Sequence, residues 1–114
     1  MLSREELTKE YIKIIDSYYP VVAKLMRRCL IKIIELNATR TQPKQRIYYL
    51  VIYYPEKIGD RLLQQQDVFR DAAENMGLAE VIFINANRLI KDPLSKLKQQ
   101  DFRFWLELCW LANE

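Results

Sequence analysis

Apolar residues along this chain recur at two spacings, and the change from one to the other divides it into helices and strands. Leu7, Tyr11, Ile14, Ile15 and Tyr18 share a face at helical spacing. Just before them, Ser3 and Glu6 form a capping-box pattern, in which each side chain satisfies a free backbone N–H. Leu2 and Leu7 are placed to close a hydrophobic staple around it. A first helix is therefore expected from Ser3. Pro20 ends or bends it, because its ring disfavours helical geometry at Tyr19, and Pro also suits the first position of a new helix. Continued to Leu36, this second helix gathers Val22, Leu25, Met26, Cys29, Leu30, Ile33 and Leu36 on one arc. Lys24, Arg27, Arg28, Lys32 and Glu35 take the opposite arc, with Ile31 among them.

From Asn37 to Gln45 no apolar period survives, which reads as an exposed connection. Ile47 to Tyr54 is then β-branched and aromatic throughout and stops at Pro55. Both of its alternating faces are apolar, so a strand covered on both sides is expected. The helical period returns with Ile58, Leu62, Phe69, Ala72, Ala73 and Met76, and Gly77 supplies the stop. Gln65 falls inside that apolar arc, where it either reaches a backbone partner or marks a groove. Glu80 to Asn85 reads as a second buried strand, and strand, helix, strand at this spacing predicts a βαβ unit with parallel strands.

Beyond Asn87 the chain predicts a helical turn, a helix start at Asp92-Pro93, and a last helix capped by Asp101. In that last helix Phe102, Trp105, Leu106 and Cys109 share one face, while Phe104, Leu108 and Leu111 lie on another. Arg103 and Glu107 leave only a narrow polar strip, so the helix is either central to the core or shared with another chain.

The expected fold is α/β, a small single domain of order α-α-β-α-β-α-α with a short, mostly parallel sheet flanked by helices. Its parts are an N-terminal helical pair (1–36), an exposed loop (37–45), a βαβ unit (46–85) and C-terminal helices (86–114). At 114 residues, half of them apolar or aromatic, the chain suits one packed core and not two. The start of the sequence is charged and lacks the apolar run of a signal peptide, and no stretch is long and apolar enough to span a bilayer. Cys29 and Cys109 each sit in an apolar pattern and read as free, buried thiols. A cytoplasmic protein is the expectation.

Net charge is +3, but unevenly spread. Residues 1–57 hold eleven Lys/Arg against six Asp/Glu, or +5, and residues 58–114 hold seven against nine, or −2. Lys24, Arg27, Arg28, Lys32, Arg40, Lys44 and Arg46 crowd into residues 24–46 with Glu35 alone opposing them. Such a face suits an anionic partner such as nucleic-acid phosphates, although a charge run is more often a solvated helix surface.

Catalytic chemistry has little to work with. The sequence contains no histidine, which removes the commonest general base and metal ligand. It has no Cys-x-x-Cys pair for zinc, and Gly59 and Gly77, its only glycines, cannot build a phosphate-binding loop. Helix, buried strand, helix and second strand also occur in nuclease cores of the PD-(D/E)xK type. Those need an acid and a Glu-x-Lys at neighbouring strand positions. Here the strand reads Leu50-Val51-Ile52-Tyr53-Tyr54, and Glu56-Lys57 are adjacent and lie past the proline, so the layout is shared without the chemistry.

Two further places invite a functional reading and have a plainer one. The carboxyl ends of the strands, with Tyr53, Tyr54, Glu56, Lys57, Asp60, Asn85, Asn87 and Arg88, would line a ligand crevice in an open parallel sheet. Helix capping by Asp60 and turns at the asparagines account for the same residues. Tyr48, Tyr49, Tyr53 and Tyr54 suit a base-stacking platform or, better, a core. No cofactor and no metal are expected. Two strands make a poor sheet alone, so association is expected, through strand edges or through Phe104, Trp105, Leu108 and Leu111 of the last helix. The expected function is a non-catalytic protein–protein interaction or adaptor module, as a homodimer or within a larger assembly. A nucleic-acid-associated accessory protein is the alternative, and an enzyme comes third.

Overall fold

The structure, a computed structural model, describes residues 3–38 and 45–113. Helix α1 (Arg4–Tyr18) begins as the capping box requires. Glu6 donates its backbone N–H to Ser3 Oγ at 3.1 Å, and Ser3 donates its own to Glu6 Oε1 at 3.4 Å. The helix breaks at Tyr19, and Pro20 opens helix α2 (Pro20–Met26) as its first residue.

The second helix then stops ten residues earlier than its pattern suggests. After a turn at residues 27–29 the chain becomes strand β1 (Leu30–Ala38), so the expected helical pair over 1–36 is corrected to two helices and the start of a sheet. The physical reason lies in Ile31, Ile33 and Ile34. Their branched side chains lose rotamer freedom in a helix and pack well on a pleated surface. Ile31, stranded among charges on a helical wheel, joins Ile33 against the core once the period is two.

Strand β2 (Gln45–Tyr54) returns antiparallel to β1 in unbroken register, from Leu30 opposite Tyr53 to Ala38 opposite Gln45. The core of the expected 37–45 loop, residues 39–44, lies outside the described residues. A 3-10 turn (Glu56–Ile58) leads into α3 (Gly59–Gln64) and α4 (Gln66–Asn75), which replace the single expected helix. Gln65 marks the break. Its carbonyl accepts from the N–H groups of Val68 and Phe69, which start α4. Gly77, at φ 77°, closes that unit in the left-handed conformation that glycine adopts without strain. Strand β3 (Glu80–Asn85) then pairs parallel to β2, with Val51 alongside Ile82, as the βαβ pattern predicts.

Helices α5 (Ala86–Lys91), α6 (Leu97–Gln100) and α7 (Phe102–Ala112) complete the chain. Asp101 caps α7 through Phe104 N–H, as expected. Asp92 instead holds a turn by accepting from Leu94 N–H, and helix resumes only at Leu97.

The sheet is therefore mixed and three-stranded, in the order β1-β2-β3, and not a two-stranded parallel one. It forms the middle of an α/β/α sandwich. Leu50, Ile52 and Tyr54 of β2 face a core built with Tyr11, Ile15, Met26, Leu62 and Phe69 from α1 to α4. Val51 and Tyr53 point the other way, against Ala86 of α5 and Phe104 and Leu108 of α7. Central β2 is covered on both sides, as its uninterrupted apolar run demands. Among the described residues, β1 and β3 are the two edges.

Candidate interaction surfaces

At the carboxyl ends of β2 and β3, the two asparagine side chains are taken up by the fold. Asn85 caps α5 by accepting from Arg88 N–H at 3.1 Å. Asn87 accepts from Glu56 N–H at 2.9 Å and donates Nδ2–H to the Ala112 carbonyl at 3.3 Å, tying the end of β2 to the end of α7. Asp60 lies exposed in the first turn of α3 and makes no cap hydrogen bond there, so the expected capping role is corrected. Tyr53 and Tyr54 are buried and Tyr48 and Tyr49 half-buried. Tyr53 sits edge-on to Phe104 with centroids 4.9 Å apart, and burial raises its phenol pKa. Tyr53 and Tyr54 are core, and Tyr48 packs against it.

Glu56 and Lys57 stand exposed in the 3-10 turn, past the strand. Among the described residues, no group of three or more His, Cys, Asp or Glu is placed to hold a metal ion. Both cysteines are free and half-buried. Burial pushes the Cys29 thiol up to about 12, against a smaller opposing pull from Arg28, so at neutral pH it is protonated and a poor nucleophile. None of the helices among the described residues is long and apolar enough to cross a membrane.

The basic residues do not share a helix face. Lys24 is exposed on α2, and Arg27 in the following turn pairs with Asp16 at 2.9 Å. Arg28 is half-buried in the same turn. Lys32 belongs to β1 and lays its ammonium 3.5 Å from the Phe104 ring centroid, on the sheet face covered by α7. Arg46 pairs with Glu35 across the β1–β2 ladder at 3.3 Å. Arg40 and Lys44 lie outside the described residues. Breaking the helix at Met26 thus disperses the described members of the cluster over α2, the following turn, β1 and β2, on two sides of the sheet.

Helix α7 divides its apolar residues differently from the expected association surface. Phe104 and Leu108 are turned into the chain's own core and Leu111 packs beside them, while Trp105 stays half-exposed. What the helix presents outward is Phe102, Leu106 and Trp110, at 54%, 47% and 76% exposure. These three stand at i, i+4 and i+8, one stripe along the helix. Phe102 stacks on Trp105 with centroids 5.9 Å apart, and Lys98 lies over the Trp105 ring. The i, i+4, i+8 spacing is visible in the sequence. What hides it is that α7 is apolar all round, so periodicity does not say which side the core takes.

A second apolar strip lies on the same side of the sheet, beyond the reach of α7. Alternation along β1 puts Ile34 and Leu36 on that side, opposite Tyr49 and Ile47, and β3 adds Ile82 alongside Val51. Ile34, Leu36 and Ile82 all remain exposed.

Along its outer edge β1 meets the start of α1. Ser3, Arg4, Glu5, Thr8 and Lys9 on the helix, with Ile31, Lys32 and Ile33 on the strand, line an open groove of about 790 Å³. A smaller pocket of about 310 Å³ follows beneath the α2–β1 turn, lined by Ile12, Met26, Arg27, Cys29, Leu30 and Ile31. Comparison with protein-family models, curated proteins and solved structures finds no match for this chain.

Proposed function

We propose that this domain is a non-catalytic interaction module that self-associates through the outward stripe of α7. The observation that supports it is the Phe102–Leu106–Trp110 row. Large apolar side chains standing in water at one-turn spacing are costly to expose, and aromatic ones such as Phe102 and Trp110 are enriched at protein interfaces. A two-fold pairing of like helices is the simplest arrangement that covers such a row, because each stripe then meets its own copy. The sheet strip of Ile34, Leu36 and Ile82 lies on the same side and extends the surface available to a partner.

Sedimentation equilibrium across a concentration series tests this. Wild type is expected to rise from the monomer mass of 13.7 kDa toward twice that value as concentration increases. Phe102→Ser with Trp110→Ser should weaken association by about a thousandfold or more, since two anchors are lost from each of two copies and each is worth on the order of 1–2 kcal/mol. Both positions are exposed, so the variant should fold. A wild type that stays monomeric to roughly 1 mM would contradict self-association.

A further inference from the structure

We infer that the free edge of β1 accepts an extended acidic segment of a partner protein as an added strand. The inference rests on the reading of the domain as an interaction module, but places partner binding on a different surface from the α7 stripe.

Among the described residues, β1 pairs with β2 on one side only. It is nine residues long, contains no proline, and keeps unbroken register with β2. Regular, bulge-free edges of this kind present alternate N–H and C=O groups to a further strand, and proteins ordinarily blunt them with bulges, prolines or inward charges. Of its two charged side chains, Lys32 is one such inward charge, at a single position, and both are held within the chain. Lys32 lays its ammonium over the Phe104 ring, and Glu35 is turned to Arg46 on the β2 side.

The groove beside the edge supplies the remaining selectivity. The first turns of α1 overlook β1 at Ile31–Ile33 and leave room for a chain lying alongside the strand. With the Lys32 ammonium drawn to Phe104 on the other face, its charged lining is Arg4 and Lys9 against Glu5 alone. No ion pair among the described residues engages Arg4 or Lys9, so their charge is available to an incoming chain. That balance decides between occupants. A second copy of β1 paired across a two-fold axis would bring the same excess positive charge against itself, which disfavours the pairing. An acidic segment meets the charge it needs. Alternating apolar side chains on that segment would also lie beside exposed Ile34 and Leu36 on the far face.

The test uses the full chain and a labelled synthetic peptide, Glu-Val-Glu-Ile-Glu-Val-Thr-Val-Glu, followed by fluorescence anisotropy. Three controls accompany it: the peptide with every Glu replaced by Lys, the acidic peptide N-methylated at alternate residues on each edge in turn, and the protein variant Arg4→Glu with Lys9→Glu. The acidic peptide is expected to bind saturably and at least about tenfold more tightly than its Lys counterpart. The charge-reversed protein should invert that preference. N-methylation on one edge, and not on the other, should abolish binding, because only one edge of the peptide bonds to β1. Equal affinity for both peptides, no binding up to about 1 mM, or indifference to N-methylation would overturn the proposal. So would protection of β1 amides that grows with protein concentration in the absence of peptide, which would assign the edge to a second copy. Sedimentation of the α7 variant is read without peptide, so self-association and strand addition fail separately.

Discussion

Phe69→Ala is expected to destabilise the domain by about 3–5 kcal/mol, the range for deleting a fully buried aromatic ring. Phe69 of α4 is 0% exposed and stands edge-on to Phe83 of β3 at 5.9 Å. It therefore joins the crossover helix to the strand that follows. Its own carbonyl accepts the Tyr11 hydroxyl at 2.9 Å, which fixes α1 against α4 and satisfies a phenol held in an apolar core. Loss of the ring leaves a cavity at the junction of α1, α4 and the sheet, and it unsettles the backbone that Tyr11 depends on. Thermal or urea unfolding followed by circular dichroism checks the value, with a Tm drop on the order of 15 °C or more for a domain of this size.

The other sheet face gives the second large effect. Phe104→Ala should cost about 3–5 kcal/mol as well. Phe104 is buried at the centre of the smaller core, edge-on to Tyr53 and beneath the Lys32 ammonium. Removing it deletes three kinds of contact together: apolar burial, an aromatic pair and a cation–π contact. The informative comparison is Trp110→Ala on the same helix. That ring is far larger than most core side chains, yet it is exposed, and its loss from the monomer should stay within about 0.5 kcal/mol. Equal damage from both substitutions would show that α7 is not seated as described. Damage from Trp110→Ala alone would place the wrong face of the helix in the core.

Much of the fold follows from local signals that no tertiary contact overrides. The Ser3–Glu6 box, Pro20, the run Ile47–Tyr54, Gly77 and the Asp101 cap all act through their own backbone, and each appears where its chemistry puts it. Residues 30–36 are different because they satisfy two periods at once. Leu30, Ile33 and Leu36 fit one helical arc, while Ile31 with Ile33 and Ile34 with Leu36 fit the two faces of a strand. The branched isoleucines favour the strand, and pairing with the far more committed β2 decides it, since a nine-residue ladder is gained by extending. That single reassignment changes the candidate sites most. It turns a basic helical face into a strand edge and sends Lys32 to Phe104. It also adds the third strand.

Helix α7 is ambiguous in sequence for another reason. Its amphipathicity is weak in every direction, so which aromatic faces inward depends on the shape left by β2 and α5, a long-range matter that spacing does not encode. The interaction surfaces are legible only in part for the same reason. A surplus of apolar residues in the last helix is written in the sequence, whereas its division into a buried Phe104–Leu108 pair and an exposed Phe102–Leu106–Trp110 row is a product of packing.

Residue-resolved amide hydrogen exchange over Leu30–Ala38, measured by NMR at a concentration where the protein is monomeric, decides whether β1 is a free edge. The three-stranded sheet and the proposed strand-addition edge depend on that placement. An edge strand bonded to β2 on one side alone should show protection at every second amide, with the intervening ones exchanging close to the rate of an unstructured chain. Unbroken protection at consecutive residues from 30 to 36 would mean a helix or an edge already covered, and either result would contradict a free β1 edge.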